Sequence, residues 1–250
     1  MDTSSPVHAP MDPSQYDSLI GMIVPGQSLL FRMIIDNLPD KCGSILELGC
    51  GTGLLTGMLR RACPSAAIDA IDISEEMVLA ARRKKDLSDV TFFVRDLRDT
   101  WPEKPYDAIV TSLCLHHVPE ADRIRVAARA SQALEPGGRF LCGDIFRAKT
   151  PWEEDLITCS WKKSMEQARV PPAVIGGMLR ERRERLPRLA TVSGFAGSIR
   201  NAGFFRVWVP FTAGFVGLII GEVGNGRIHP VPESGFCPCS HRDGWALCRP

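Results

Sequence analysis

The stretch SILELGCGTGLLTGMLRR, Ser44 to Arg61, passes from apolar alternation through glycines at 49, 51 and 53 into a helix-like pattern over Leu54 to Ala62. Glycines at such a junction permit a tight strand-to-helix turn at positive φ and let a ligand approach the backbone. The helix that follows offers unpaired N–H groups at its start. Taken alone, the turn fits a plain connection as well as a ligand cradle.

Outward from that turn, short β-rich runs alternate with helical patterns. The predicted strands are 44–49, 66–73, 90–96, 106–114 and 137–146. The predicted helices are Leu54–Ala62, a second opened by Ser74 with Glu75 and Glu76 in its first turn, and a third over Ala121–Leu134 that EPGG (135–138) stops. This alternation predicts an α/β fold, a parallel sheet covered by helices on both faces.

Upstream, YDSLIGMIVPGQSLLFRMIIDNLP (16–39) reads as one or two amphipathic helices broken near Pro25 and ending at Pro39. Downstream, 150–190 is helical and Arg-rich, 191–204 is a core helix, and 204–222 holds two apolar runs around a glycine turn, which fits a closing antiparallel hairpin. The expected domain is therefore 16–222, with flexible ends at 1–15 and 223–250.

Thirty basic against twenty-nine acidic residues give a net charge of +1, so no strong field draws the chain to nucleic acid or an anionic membrane. The mixed Glu and Arg of RERRERLPR (180–188) read as a solvated, ion-paired face. The longest apolar stretch, FTAGFVGLII (211–220), is too short and Gly-rich to cross a bilayer. A polar, Pro-rich MDTSSPVHAPMDPSQ lacks a basic-then-apolar leader, and nine cysteines spread through apolar segments read mostly as small buried residues of a reducing, cytoplasmic protein. Cys237, Cys239, His241 and Cys248 lack the usual zinc spacing, so no metal is expected.

A second signal stands at Asp72, ending the second strand roughly twenty residues after the last glycine, where an acid can accept both ribose hydroxyls of a nucleoside. Glu47 would repel a pyrophosphate brought to the glycine turn and suits a cationic ligand instead. S-adenosylmethionine, with its ammonium and sulfonium, meets both demands.

The set LELGCGTG (46–53), IDAIDIS (68–74), VRDLRD (94–99), YDAIVTSLCLHHV (106–118) and LEPGGRFLCGDIF (134–146) resembles the successive motifs of class I S-adenosylmethionine-dependent methyltransferases, over about 16–222. The resemblance implies a Rossmann-like, seven-stranded, mostly parallel sheet with its last strand antiparallel, roofed by the N-terminal helices and the 150–190 insertion as a lid. It also implies that Glu47, Gly49, Gly51 and Gly53 surround the methionine part, that Asp72 holds the ribose, and that Ile73, Met77, Asp96 and Leu97 lie at the adenine. Ser112 and Leu113 would pass the donor methyl, and Tyr16 would fold over the cofactor.

Methyl transfer from a sulfonium is a direct displacement, so positioning and water exclusion carry much of it, with a base needed only if the acceptor must lose a proton. Candidate bases are His116, His117 and Asp144, at the ends of the fourth and fifth strands. The expected partner is a small-molecule acceptor at oxygen, nitrogen or carbon, with nucleic acid disfavoured, no membrane, and a homodimer left open. The alternatives are an enzyme that modifies transfer RNA and a non-catalytic S-adenosylmethionine-binding module.

Overall fold

The computed structural model describes residues 13–225; the readings at 1–12 and at Cys237, Cys239, His241 and Cys248 lie outside them. In chain order the elements are α1 (Pro13–Ile23), α2 (Gln27–Asp36), β1 (Ser44–Leu48), α3 (Leu54–Ala62), β2 (Ala67–Asp72), α4 (Glu75–Arg82) and β3 (Thr91–Val94). They continue with β4 (Tyr106–Ser112), α5 (Glu120–Ala133), β5 (Leu134–Ile145), α6 (Pro151–Gln167), α7 (Pro172–Arg185), α8 (Val192–Asn201), β6 (Arg206–Ala213) and β7 (Val216–Glu222).

The strands form one sheet in the order β3-β2-β1-β4-β5-β7-β6. The first five are parallel, and β7 enters antiparallel between β5 and β6. Parallel strands with crossover helices must be covered on both faces, and two apolar clusters do this. One joins Ile45, Ile68 and Val110 of the sheet to Leu30, Leu55, Val78 and Met165 of the helices; the other joins Leu46, Ile109 and Phe140 to Val126 and Ile199. The alternation within β1 therefore sends Leu46 and Leu48 to the second cluster and leaves Glu47 on the face covered by α3.

The break near Pro25 is made by Gly26, which takes φ 82° as the N-cap of α2 and turns the two helices through 95°. Among the described residues no single helix is long and apolar enough to cross a membrane. The second predicted cap is present: the Ser74 hydroxyl accepts from the Met77 N–H, and Glu75 and Glu76 occupy the first turn of α4.

Two expectations are corrected. EPGG does follow the end of α5 at Ala133, but it lies within β5 instead of turning the chain ahead of a strand that begins at 137, because Leu134 already pairs with Tyr106. Hydrogen bonds from Gly137 N–H to Val223 O (3.2 Å) and from Val223 N–H to Gly138 O (3.1 Å) draw the segment into a long β5. The cysteines are not mostly buried: of the six described, Cys50 and Cys142 are, Cys42, Cys63 and Cys114 are half-buried, and Cys159 is exposed.

The 150–190 insertion folds as two helices seated on the sheet and on α1. Thr150 and Glu153 form a capping box that starts α6. Trp161 Nε1 donates to Ile23 O at 2.6 Å, tying α6 to α1. Arg182 of α7 donates to Glu154 of α6 at 2.6 Å and to Phe146 O at 3.2 Å, with both charged side chains buried. A buried pair of this kind is costly to break from one side, because the partner is left charged and unpaired. Glu154→Ala should lower the urea-unfolding free energy by about 3–5 kcal/mol, whereas the double change Glu154→Leu with Arg182→Met should restore most of it.

Candidate active site

The glycine turn is welded to the neighbouring strand before any ligand is considered. Gly49 and Cys50 N–H groups both donate to Ile71 O, at 2.8 and 3.0 Å. Gly49, Gly51 and Gly53 all adopt positive φ, at 75°, 53° and 79°. A side chain at Gly49 would overlap the Cys114 sulfur, and one at Gly53 would press on Leu87 and Ala81. A Cβ at Gly51 would meet nothing within 4 Å. Gly49 and Gly53 thus serve packing, and Gly51 is the member that borders open space.

Glu47 lies beneath this turn, 1% exposed, with Oε2 accepting from the Thr56 hydroxyl at 2.6 Å. Among the described residues it forms no ion pair with a cation. Burial pushes its carboxyl up to about 8, opposed by the Thr56 hydrogen bond and reinforced by Asp72. A buried acid without a cationic partner fits a site that receives positive charge from outside the chain.

Asp72 ends β2 and links the turn to the next helix. Its Oδ2 accepts from Gly51 N–H at 2.7 Å and its Oδ1 from Ser74 N–H at 2.9 Å. Ile73 beside it is 48% exposed, an apolar surface next to a nucleoside-type acid, and Met77 is half-buried one turn into α4. Tyr16 comes close from α1: burial pushes its phenol up to about 12, with Asp72, Cys114 and Asp17 adding to the effect. The next residue, Asp17, accepts from the Thr52 hydroxyl and pairs with Lys84 Nζ at 3.1 Å, which straps α1 across the turn.

The predicted adenine-side pair behaves less uniformly. Asp96 is clamped by Arg98, from its backbone N–H, Nε and Nη2 at 2.9, 3.0 and 2.5 Å, and these bonds hold its carboxyl below the usual range. Leu97 is buried, and its carbonyl accepts from Trp101 Nε1. At the end of β4, Ser112 is half-buried and Leu113 takes φ 50°, rare for a side-chain-bearing residue, with its N–H donating to Gly143 O at 2.8 Å.

The three candidate bases separate into two arrangements. Asp144 is 3% exposed; its Oδ2 accepts from His116 N–H at 2.8 Å, and its Oδ1 accepts from His116 Nδ1 at 2.6 Å and from Ile145 N–H at 2.8 Å. With three N–H donors converging on it, Asp144 acts as an ionised orienter, which leaves His116 Nε2 with the lone pair. His117 instead meets Arg185 of α7, Nη1 to Nδ1 at 2.6 Å. Cys114 lies between the two acids, its thiol pushed up by burial and then by Asp72 and Asp144.

The structure therefore gathers Tyr16, Glu47, the glycines, Asp72, Cys114, Asp144 and His116 along the C-terminal edge of the parallel strands, where ligands of open α/β sheets bind. Thr56, Cys114, the Asp17–Lys84 strap and Arg185 are absent from the sequence reading. Thr56 left a faint signal, a polar residue on the otherwise apolar buried stripe of α3. Arg185 left none, since its partner is distant along the chain.

Comparison with known proteins accords with this geometry. Residues 45–138 match the family model described as a methyltransferase domain. Residues 45–138 are thus similar to a methyltransferase domain, and the sheet order β3-β2-β1-β4-β5-β7-β6 is Rossmann-like. A trans-aconitate 2-methyltransferase of Mycobacterium tuberculosis is 38% identical over 98 residues, 39% of this chain and 35% of that protein. A malonyl-(acyl-carrier protein) O-methyltransferase 1 of Ilyobacter polytropus is 34% identical over 118 residues, 46% of this chain and 43% of that protein. The chain thus matches less than half the length of these relatives.

Solved structures show the same fold at low identity. An O-methyltransferase family protein from Burkholderia thailandensis superposes with a TM-score of 0.62 at 18% identity, over 86% of this chain and 60% of that one. The plantazolicin methyltransferase in complex with S-adenosylhomocysteine superposes with a TM-score of 0.61 at 18% identity, over 84% of this chain and 88% of that one.

Two outcomes follow for the turn. Between its ordinary value near 4.5 and about 8, Glu47 holds more proton in the folded than in the unfolded chain, so stability falls as pH rises through that window. Urea titrations should show a loss on the order of a few kcal/mol between these limits, absent in Glu47→Gln. Gly49→Ala, strained in φ and overlapping Cys114, should cost about 2–4 kcal/mol, against about 1–2 kcal/mol for Gly51→Ala, which has room but the same adverse φ.

Proposed function

We propose that the chain binds S-adenosylmethionine on the glycine turn and transfers its methyl group to the oxygen of a small-molecule acceptor bearing a hydroxyl. The observation that carries the reading is Glu47, a buried acid without a cationic partner among the described residues, below a glycine with open space beside it. Glu47 would hold the charged amino-acid end with the Gly51 backbone, Asp72 the ribose hydroxyls, and Ile73 the face of the adenine. The bound cofactor supplies an electrophilic methyl on a sulfonium.

The chain's own part is positioning, exclusion of water and one proton. His116, oriented by Asp144, accepts the hydroxyl proton at Nε2, and Asp144 balances the imidazolium charge without itself taking the proton. An acceptor that arrives already ionised would have no use for this pair, which is why a proton-bearing oxygen fits best. The O-methyltransferases among the relatives and structural neighbours point the same way. The near-neutral net charge favours a small molecule over RNA, and the intact His116–Asp144 pair favours catalysis over a cofactor-sensing module.

Calorimetry tests the donor. S-adenosylhomocysteine carries the same ammonium, so its binding near neutral pH should draw Glu47 into its ionised form, releasing a proton that appears as a dependence of heat on buffer ionisation enthalpy. Asp72→Ala should weaken binding by at least about tenfold, about 1.4 kcal/mol. Absence of binding to the unaltered chain would remove the reading altogether. For the acceptor, labelled methyl donor incubated with cell extract should mark the metabolite fraction, and label confined to RNA would overturn the small-molecule assignment. His116→Gln should slow turnover by about 100-fold or more while sparing S-adenosylhomocysteine affinity.

A further inference from the structure

We propose that Arg185, on the insertion helix α7, is a positioning residue that decides which of two adjacent imidazoles can take a proton, reserving that role for His116 and fixing His117 as a proton-bearing neighbour. The inference deepens the methyl-transfer reading and rests on it for its catalytic meaning.

A guanidinium carries only donors, so the 2.6 Å contact from Arg185 Nη1 to His117 Nδ1 requires that Nδ1 be the acceptor. The single proton of neutral His117 then sits on Nε2, and the ring has no lone pair left with which to take another. Adding a proton at Nδ1 would oppose an imidazolium N–H to a guanidinium N–H at hydrogen-bond distance, with two positive charges in contact.

His116 has the reverse arrangement. Its Nδ1 donates to the ionised Asp144, its Nε2 keeps the lone pair, and a proton taken there is balanced by Asp144 at 2.6 Å. The two rings are 3.8 Å apart between centroids, tilted by 41°. Charge on one is therefore felt by the other, and both are not readily charged together.

Among the described residues, groups from three elements face this pair. Asp144 comes from β5 and Cys114 from the end of β4; α7 contributes Arg185 and Glu181, which pair at 3.0 Å one turn apart. Arg185 and Glu181 are only 25% and 15% exposed at their side chains, and Arg182 on the same helix is fixed to Glu154. The guanidinium is thus presented from a well-anchored helix. The sequence HH offers two chemically identical candidates, and the insertion distinguishes them from outside.

The test is nitrogen-15 NMR of the full chain labelled at histidine, with signals assigned through His116→Gln and His117→Gln. His117 should show an unprotonated Nδ1 and a protonated Nε2 throughout about pH 5 to about pH 8, while His116 shows the opposite tautomer, protonated at Nδ1 against Asp144. In Arg185→Met, His117 should gain a titration near about 6.5 and lose its single tautomer. Arg185→Lys, which keeps a charged donor, should hold Nδ1 unprotonated, a rescue that loss of packing would not explain. The proposal is overturned if His117 of the unaltered chain titrates near its ordinary value, or if Arg185→Met leaves its tautomer unchanged. This readout needs neither donor nor acceptor, so absence of S-adenosylhomocysteine binding would sink the methyl-transfer reading while the Arg185–His117 pairing is judged on its own.

Discussion

The carboxylate of Asp72 is the constraint on which the site rests. One oxygen accepts from Gly51 in the turn after β1, and the other accepts from Ser74 at the start of α4, so a single side chain joins two strand ends and a helix. The Gly49 and Cys50 N–H groups add the reciprocal tie to Ile71 O. Without these links the positive-φ turn would be a loop free to choose other conformations. With them it is a fixed wall, and Glu47 beneath it is kept out of water. The residue expected to meet a ribose is therefore also a structural strut.

Much of the fold was legible because its signals are local. Ser74 before two glutamates, Gly26 after Pro25, and apolar alternation in 44–48 each state a boundary in a few neighbouring residues. EPGG misled because proline and glycine also signal turns, and the bonds that straighten it come from Val223, far along the chain. In the site, Glu47 and Asp72 could be read from their places at strand ends. At Asp96 the motif position suggests a ligand contact, and what it does not announce is that Arg98 two residues later clamps the carboxylate.

The least legible part is the insertion. Its arginines look alike in sequence, yet one completes a buried ion pair, another binds an imidazole, and Arg188 contributes a carbonyl that accepts from Arg123. Helical spacing suggested a solvated face, which neglects that α7 lies against α6 and the ends of the sheet, where some of those charges are taken out of water. Periodicity tells which residues share a face and does not tell what the face will meet.

The floor of the site and its entrance are built from different materials. Backbone hydrogen bonds and buried apolar contacts make the floor; α1 is anchored by Ile20 and Ile23 in the core and by Trp161, and it reaches the turn itself through Asp17, by a hydroxyl and by a part-exposed ion pair with Lys84. Dissolved salt screens pairs of that kind and leaves buried hydrogen bonds almost untouched. Ionic strength thus acts selectively on the Asp17–Lys84 tie, loosening the link between α1 and the turn while the cradle and the buried anchor of the helix keep their shape.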